Sequence, residues 1–294
     1  MIRGIVAALL LQPPTFPAQA EAVRMSVTVL QPGRPLDLLD FTVIEDGRPQ
    51  TITHFSREPM PLDILLLLDV SGSMQSGWTT TFRAARELVG ALDRTDRMQI
   101  MTFGSRILTL QEFTGDKALL ESALSRPFTA EGTTVLWTAM YVALDELTRL
   151  ERDAECPRRR IVIVVTDGWE NGSAVSGDYL RERVRSSESA VYVVSSDAHH
   201  PISADRRDYH EAVFFLKRMC TESGGQYVSV RSPYETVGIL RRLAREFSAE
   251  YTIGWQSDAT DRGAGWRNTQ VIVRGFGSER VRHRSGYSPL ANRR

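Results

Sequence analysis

The feature that most constrains this chain is the stretch 62–74, which reads LDILLLLDVSGSM. Its unbroken apolar run, 64–68, is too short to span a membrane and is typical of a strand buried on both faces of a sheet. Such strands occur in parallel sheets that carry helices on both sides. The run therefore favours an α/β fold with this strand at its centre.

Three oxygen-bearing side chains follow this strand at alternate positions: Asp69, Ser71 and Ser73. Gly72, between the serines, permits a tight turn. One interpretation is a strand-to-helix turn in which a serine caps the next helix. The other is a cradle for a hard cation, because carboxylate and hydroxyl oxygens are the ligands that such ions prefer.

In residues 61–249, helix-type and strand-type patterns alternate along the chain. Apolar residues at helical spacing predict helices at 82–92 and 134–150. Further helices are predicted at 117–124, at 179–187, which is polar, and at 209–220, and a capping box with Pro233 at the first helical position opens a helix at 233–249. Apolar runs predict strands at 64–68, 98–103, 107–113, 160–166, 190–195 and 226–230. The strand at 107–113 follows its predecessor after only three residues, a link too short for a parallel crossover. The order predicts a doubly wound α/β fold, with a mostly parallel six-stranded sheet and one antiparallel edge strand.

The two flanks of this block, 21–60 and 250–294, contain only strand-type patterns. The predicted strands are 25–30, 41–45, 50–55, 251–256, 269–273 and 281–287. Neither flank has enough strands to build a core of its own. We therefore predict that the flanks pair into one small β-domain beside the α/β domain at 61–249.

Residues 1–20 have the pattern of a secretory signal peptide. Arg3 supplies a positive start, residues 5–11 form a short apolar core, and 18–20 read AQA, an A-x-A cleavage site. The apolar core is far shorter than the about 20 residues that span a bilayer. We therefore predict cleavage before Glu21 and an exported protein, periplasmic or secreted, with no transmembrane segment after cleavage.

The charge balance argues against nucleic acid as a partner, because 36 Lys and Arg residues face 36 Asp and Glu residues. The two cysteines, Cys156 and Cys220, lack the paired spacing of a zinc site. An oxidising compartment would allow them to form a disulfide, but the sequence does not give the Cα separation that a disulfide needs. Their pairing stays open.

Two more polar positions fall at the same edge of the predicted sheet. Asp167 follows the strand at 160–166, and Thr133 lies in the loop that opens the helix at 134–150. In open α/β sheets, ligands bind at the carboxyl ends of strands, near the point where the strand order reverses. We therefore expect both residues to lie near Asp69.

In chain order, the motifs DVSGSM, EGTTVLW and VVTDGWENGS resemble the von Willebrand factor A family with its metal-ion-dependent adhesion site. The resemblance implies a Rossmann-like fold and a metal site formed by Asp69, Ser71, Ser73, Thr133 and Asp167. It implies Mg²⁺ as the bound ion, with Mn²⁺ and Ca²⁺ as alternatives. In this family a protein partner supplies an Asp or Glu that completes the coordination of the metal. The flanking segments FTVIEDGRPQTITHF, YTIGW and VRHRSGYS further resemble a bacterial subgroup, the acidobacterial von Willebrand factor A-related proteins.

Three other functions compete with this prediction. Ser71 and Asp167 could form a hydrolase triad with His199 or His200, but the serine lacks a G-x-S-x-G elbow. The chain could be an assembly partner of a chaperone-like ATPase, which export argues against. It could also be a structural scaffold with a vestigial metal site, which the complete set of five residues argues against. We predict that the chain is no enzyme and binds a protein through a divalent metal.

Overall fold

The structure is a computed structural model that describes residues 21–127, 129, 132–151, 156–196, 206–247, 249–257 and 265–289. The strands are β1 (Glu21–Val29), β2 (Phe41–Glu45), β3 (Arg48–Gln50), β4 (Ile52–Ser56), β5 (Leu62–Asp69), β6 (Arg97–Phe103), β7 (Ile107–Thr114), β8 (Arg159–Thr166), β9 (Ala190–Ser196), β10 (Gln226–Val230), β11 (Glu250–Ser257), β12 (Arg267–Val273), β13 (Val281–Arg282) and β14 (Gly286–Tyr287). The helices are α1 (Trp78–Gly90), α2 (Lys117–Ala123), α3 (Leu136–Arg149), α4 (Gly177–Ser186), α5 (Arg206–Ser223) and α6 (Pro233–Phe247).

The central sheet has six strands in the order β10-β9-β8-β5-β6-β7. Leu66 of β5 lies opposite Ile100 of β6 and Ile163 of β8, and both pairings are parallel. Only β7 runs antiparallel, at the edge beside β6. The predicted doubly wound sheet with one antiparallel edge strand is therefore confirmed.

The apolar run in β5 serves two cores at once. Ile64, Leu66 and Leu68 pack into the core that α1, α2 and α6 cover. Leu65 and Leu67 point to the other face and pack into the core beneath α3, α4 and α5. Burying a side chain of this size stabilises the fold by roughly 1.5–3 kcal/mol. This two-sided burial explains why the run has no polar position.

The predicted helices are present, but their ends differ from the prediction. α1 begins at Trp78, earlier than the predicted start at 82, because its first turn is polar and adds little to the apolar period. α3 is shorter than predicted at both ends, at Leu136 and Arg149. Helix ends depend on local hydrogen bonds more than on periodicity, so they are the least predictable part of such a pattern.

Strands from the two flanks of the chain pair with each other. β1 runs antiparallel to β11, so that Val27 lies opposite Tyr251. One four-stranded sheet has the order β13-β1-β11-β4, and a second has the order β14-β12-β2-β3. Val27, Trp255, Val43 and Val271 from these two sheets belong to one apolar core. The predicted β-structure built from both termini is confirmed, while its domain boundaries stay a prediction.

One strand predicted in the C-terminal flank is broken in the structure. The stretch 281–287 divides into β13 and β14, which join different four-stranded sheets. Between them, Nε2 of His283 accepts a hydrogen bond from the backbone N–H of Val271 at 3.1 Å. Ser285 donates its backbone N–H to the carbonyl of Glu222, at 3.2 Å. These contacts to β12 and α5 replace ladder hydrogen bonds, which is why the strand is interrupted.

The two cysteines form no disulfide with each other. Cys156 is exposed, whereas Cys220 is buried in the core beneath α5. Burial raises the pKa of the Cys220 thiol far above its usual range. Cys220 is therefore a core side chain.

None of the helices within the described ranges is long and apolar enough to cross a membrane.

Candidate metal centre

Asp69 and Asp167 are brought together by two neighbouring parallel strands. Asp69 is the last residue of β5, and Asp167 directly follows Thr166, the last residue of β8. Because β5 and β8 are paired in parallel, both aspartates lie at the carboxyl edge of the sheet. Both side chains are fully buried. The expectation that they lie close together agrees with the register of the sheet.

The carboxylate of Asp69 is fixed by two hydrogen bonds. Its Oδ1 accepts from the backbone N–H of Ser71 at 2.9 Å, and its Oδ2 accepts from the hydroxyl of Thr166 at 2.7 Å. Burial raises the pKa of Asp69, and the negative charge of Asp167 raises it further. The two hydrogen bonds oppose this rise, because they stabilise the ionised form. Two carboxylates are thus held close together in a place that disfavours their charge.

Only one of the two carboxylate oxygens of Asp167 accepts a hydrogen bond within the described residues. Its Oδ1 accepts from the backbone N–H of Trp169 at 3.1 Å. Its Oδ2 is buried and has no hydrogen-bond partner among the described residues. Gly168 makes the turn possible, since its φ of +83° lies in the left-handed region that favours glycine. A buried polar oxygen without a partner is costly, and such atoms often mark a place where an ion or water binds.

The two serines of the first motif lie side by side. The Oγ atoms of Ser71 and Ser73 are 3.2 Å apart. Ser71 is buried, whereas Ser73 is exposed at the start of the 3₁₀ turn Gly72–Gly77. One hydroxyl therefore lies inside the site next to Asp69, and the other lies at its mouth.

Two neighbouring threonines are candidates for the hydroxyl ligand that the sequence assigns to Thr133. Thr133 itself is exposed, whereas Thr134 is buried, with 3% of its surface accessible. The N–H of Thr134 donates to Oδ1 of Asn171 at 2.8 Å, and the N–H of Asn171 donates to the Thr134 carbonyl at 3.2 Å. This loop is therefore fixed to the segment that follows Asp167. The burial of Thr134 makes it a second candidate for the hydroxyl ligand.

Two further hydroxyl side chains lie at this edge of the sheet and were not predicted as site residues from the sequence. Ser195 and Ser196 end β9, and their Oγ atoms are buried without a hydrogen-bond partner in the described part of the chain. Ser195 Oγ would lie 3.4 Å from a Cβ added to Gly168, which places it beside the turn after Asp167. The signal was present, because two serines end an otherwise apolar strand at the carboxyl edge of the sheet.

Some predicted residues lie outside the described residues. His199 and His200, considered as a triad base, are among these, and so is Glu131 before the threonines. Among the residues that are described, no group of three or more His, Cys, Asp and Glu side chains could hold a metal. A metal at this edge would therefore depend on hydroxyl ligands beside the two aspartates.

The opposite end of β5 shows how a buried carboxylate is satisfied elsewhere in this fold. Asp63 accepts hydrogen bonds from Nε of Arg97 at 2.9 Å and from Nε of Arg158 at 2.7 Å. Within the described ranges, no lysine or arginine pairs with Asp69 or Asp167 in this way. The missing positive charge and the set of carboxylate and hydroxyl oxygens fit a hard divalent cation.

Comparison with known families agrees with this geometry. A family model described as the von Willebrand factor type A domain matches residues 63–229, which is more than half of the chain. The chain belongs to this family. Its von Willebrand factor type A domain includes β5 through β10, with both aspartates. A search of curated proteins finds no match to the chain.

Solved structures share the fold of this von Willebrand factor type A protein at low sequence identity. A von Willebrand factor type A protein from Catenulispora acidiphila is 11% identical, with a TM-score of 0.54, and the match covers 91% of this chain and 72% of that one. Proximal thread matrix protein 1 from the mussel byssus, with a zinc-occupied MIDAS motif, is 13% identical, with a TM-score of 0.51. That match covers 69% of this chain and 50% of the mussel chain, so this chain spans about half of the mussel protein's length.

Proposed function

We propose that this chain is an exported protein that binds a protein partner through a divalent metal. The metal would be held by Asp69, Ser71, Ser73, Asp167 and one threonine, Thr133 as the sequence predicts or its buried neighbour Thr134. The observation that carries the proposal is the buried Oδ2 of Asp167, which has no partner among the described residues. This oxygen lies beside a second buried carboxylate whose pKa is raised.

The donor set supports Mg²⁺ as the ion, with Mn²⁺ and Ca²⁺ as alternatives. Carboxylate and hydroxyl oxygens are hard ligands, whereas zinc in proteins is bound mainly by sulfur and nitrogen. The mussel protein in the comparison carries zinc at its MIDAS motif, so zinc belongs in the experiment. When bound, the metal would be contacted by three neutral hydroxyls, and an open coordination position at the surface would take a further oxygen ligand. Such a site would attract an Asp or Glu from a partner.

The exposure of Ser73 supports binding of a partner at this place. Asp69, Asp167 and Ser71 lie inside the sheet edge, and Ser73 opens to the surface. A partner carboxylate could therefore approach from the side of Ser73 without moving a strand. A catalytic role has less support, because the hydroxyl of Ser71 lies against another hydroxyl, that of Ser73, at 3.2 Å. We therefore propose a binding site that performs no chemistry.

Export is proposed from the pattern at 1–20. The expected mature N-terminus is Glu21. Mass spectrometry of the protein from the exported fraction measures this directly. A species that retains Met1 in that fraction would contradict the proposed cleavage.

The metal is tested by thermal unfolding of the purified chain, first in EDTA and then with Mg²⁺, Mn²⁺, Ca²⁺ or Zn²⁺. We expect wild type to be stabilised by the preferred ion, since a ligand that binds only the folded state raises its stability. Ser73→Ala and Asp167→Ala should lose that increment, because Mg²⁺ tolerates missing ligands poorly. Ser122→Ala, at an exposed position of α2, serves as the matched control and should keep it.

The partner is tested by capture from the exported fraction, with Mg²⁺ and with EDTA, using wild type and Asp167→Ala. We expect one protein that binds wild type only when metal is present and never binds the variant. If wild type shows no metal-dependent stabilisation and captures the same proteins in EDTA, the proposed function is wrong.

A further inference from the structure

A cavity of about 580 Å³ lies at the edge of the central sheet opposite to the candidate metal centre. Its floor includes Asp63, Arg160 and Ala190, which lie at the starts of β5, β8 and β9. Its roof is the four-stranded sheet that contains β1 and β11, including Arg24 and Gly254. The cavity therefore lies between the von Willebrand factor type A domain and the strands of the two flanks.

The cavity exists because these two layers touch at one end and separate at the other. Where they touch, Glu250 of β11 pairs with Arg159 of β8 at 2.6 Å, and Thr28 of β1, which donates its hydroxyl to Glu250, is buried. Along the same face of β1, Ser26 is half-buried and Arg24 is exposed. Gly254 and His54 of the same four-stranded sheet also line the cavity. The gap is thus built into the pairing of the two layers.

The walls of the cavity carry more positive than negative side chains. Five arginines and three acidic residues line it. One of the acidic residues, Asp63, is already paired with Arg158 of the wall and with Arg97 outside it. A second wall arginine, Arg159, is paired with Glu250 at 2.6 Å. The fixed pairs account for part of the charge, and arginines outnumber acidic side chains among the residues that line the cavity.

Arg284 of the cavity wall forms no ion pair among the described residues. Its terminal N–H donates to the backbone carbonyl of Arg185 at 3.1 Å. Its Nε is buried and has no hydrogen-bond partner among the residues that the structure describes. Burial lowers the pKa of Arg284 to about 10, and the charge of Glu188 only partly opposes this. Arg284 lines the cavity, and a guanidinium that has a buried N–H without an acceptor favours a further acceptor oxygen nearby.

We propose that this cavity binds a small organic anion, with Arg284 and Arg24 donating hydrogen bonds to its carboxylate or phosphate oxygens. Arginine suits both groups, because its planar fork of N–H donors matches their oxygens. A volume of about 580 Å³ falls within the range of pockets that hold small molecules. This site is distinct from the metal centre, since it uses the opposite edge of the sheet.

The full chain is stripped of metal with EDTA and exchanged into EDTA-free buffer, because EDTA is itself a polycarboxylate, and ionic strength is kept constant so that screening is the same for every probe. Citrate, succinate, inorganic phosphate and pyrophosphate are titrated, with sodium chloride as the reference salt. Binding is followed by calorimetry and by thermal unfolding. We expect saturable binding of a carboxylate or a phosphate probe, and the tighter class identifies the anion.

Two variants and one control connect the binding to the cavity. Arg24→Gln and Arg284→Gln should each lower the affinity for the preferred probe by about tenfold, which corresponds to the loss of one charge-assisted hydrogen bond. Arg48→Gln, an exposed arginine on β3, should leave the affinity unchanged. Since Arg284→Gln could impair folding, the exposed Arg24 carries the decisive comparison.

The proposal is overturned if no probe binds wild type saturably at millimolar concentration. It is equally overturned if Arg24→Gln binds as tightly as wild type, or if Arg48→Gln weakens binding as much as Arg24→Gln does.

Discussion

Asn171 and Thr134 hold each other through a reciprocal pair of hydrogen bonds between two loops. The backbone N–H of Thr134 donates to Oδ1 of Asn171 at 2.8 Å, and the N–H of Asn171 donates to the carbonyl of Thr134 at 3.2 Å. Next to this pair, Oε2 of Glu170 accepts from the N–H of Trp137 in the first turn of α3, at 2.9 Å. α3 has no side-chain cap of its own at Val135, so the loop after β8 supplies the missing acceptor. This contact fixes the threonine loop relative to Asp167.

Removing the side chain of Asn171 should loosen the candidate metal centre more than it destabilises the fold. Asn171→Ala removes one acceptor near the surface, which should cost about 1 kcal/mol of unfolding free energy. Groups that orient metal ligands typically contribute about 10-fold or more to metal affinity. We therefore expect Mg²⁺ affinity to fall by that factor, measured by calorimetry beside urea unfolding. Asn268→Ala, an exposed asparagine on β12, is the matched control and should keep wild-type affinity.

The two threonines are distinguished by Thr133→Val and Thr134→Val, which replace a hydroxyl by a methyl group of similar size. The sequence favours Thr133, whereas burial and the two hydrogen bonds to Asn171 favour Thr134. We expect the larger loss of metal-dependent stabilisation in Thr134→Val, since its position is already fixed. A larger loss in Thr133→Val would give the role to the residue that the sequence predicts. Equal retention in both would exclude a threonine ligand.

Without metal, the folded protein should become less stable as the pH rises from about 4 to about 7. The pKa of Asp69 is raised from 3.8 to about 7, first by burial and then by the charge of Asp167. In this interval the folded state binds a proton that the unfolded state has lost, so the unfolding free energy falls with rising pH. Above about pH 7 this contribution should become flat.

The measurement is urea unfolding in EDTA across this pH range, with wild type and Asp69→Asn compared at each pH. The comparison is needed because burial also raises the pKa of Glu250, which adds a slope of the same sign. The difference between the two proteins should fall as pH rises. A constant difference would show that Asp69 does not titrate in this range. Saturating Mg²⁺ should reverse the trend, because metal binds the ionised carboxylates.

The buried pair of Arg159 and Glu250 joins the central sheet to β11, and its loss should destabilise the whole chain. Their atoms approach to 2.6 Å, with both side chains almost inaccessible. Glu250→Gln leaves the charge of Arg159 buried without a counter-charge, which should cost about 3–5 kcal/mol. The double variant Arg159→Met with Glu250→Leu should cost less than Glu250→Gln alone, as measured by urea unfolding. If the double variant is the less stable protein, the pair itself stabilises the fold beyond its desolvation cost.

Deleting residues 250–294 should unfold the N-terminal strands as well. β11 lies between β1 and β4 in their sheet, so both lose their ladder partner. Hydrogen exchange of the truncated chain should show fast exchange in β1 and β4, while β5 and β8 keep slow exchange. Unchanged protection in β1 would mean that the N-terminal flank folds without its C-terminal partner.

The sequence by itself determined the central sheet and the chemical character of the site. The run 64–68 predicted a strand buried on both faces, and the three-residue link after β6 required β7 to be antiparallel. Asp69 and Asp167 follow parallel strands, so their common edge followed from strand direction alone. These features depend on the spacing of apolar residues within one element and on the length of the link to the next, and both can be read from residues that are close in the chain.

Only the tertiary structure decided which of the neighbouring groups meet. The burial of Thr134 instead of Thr133, the lone Oδ2 of Asp167 and the unpartnered hydroxyls of Ser195 and Ser196 depend on packing between separate loops and strands. The cavity near Arg284 depends on how two sheets far apart in the chain are set against each other. Thr28 and Glu250 are in contact although they lie more than 200 positions apart in the chain. The spacing of residues in the sequence does not indicate such a contact, because it depends on how the folded strands pack.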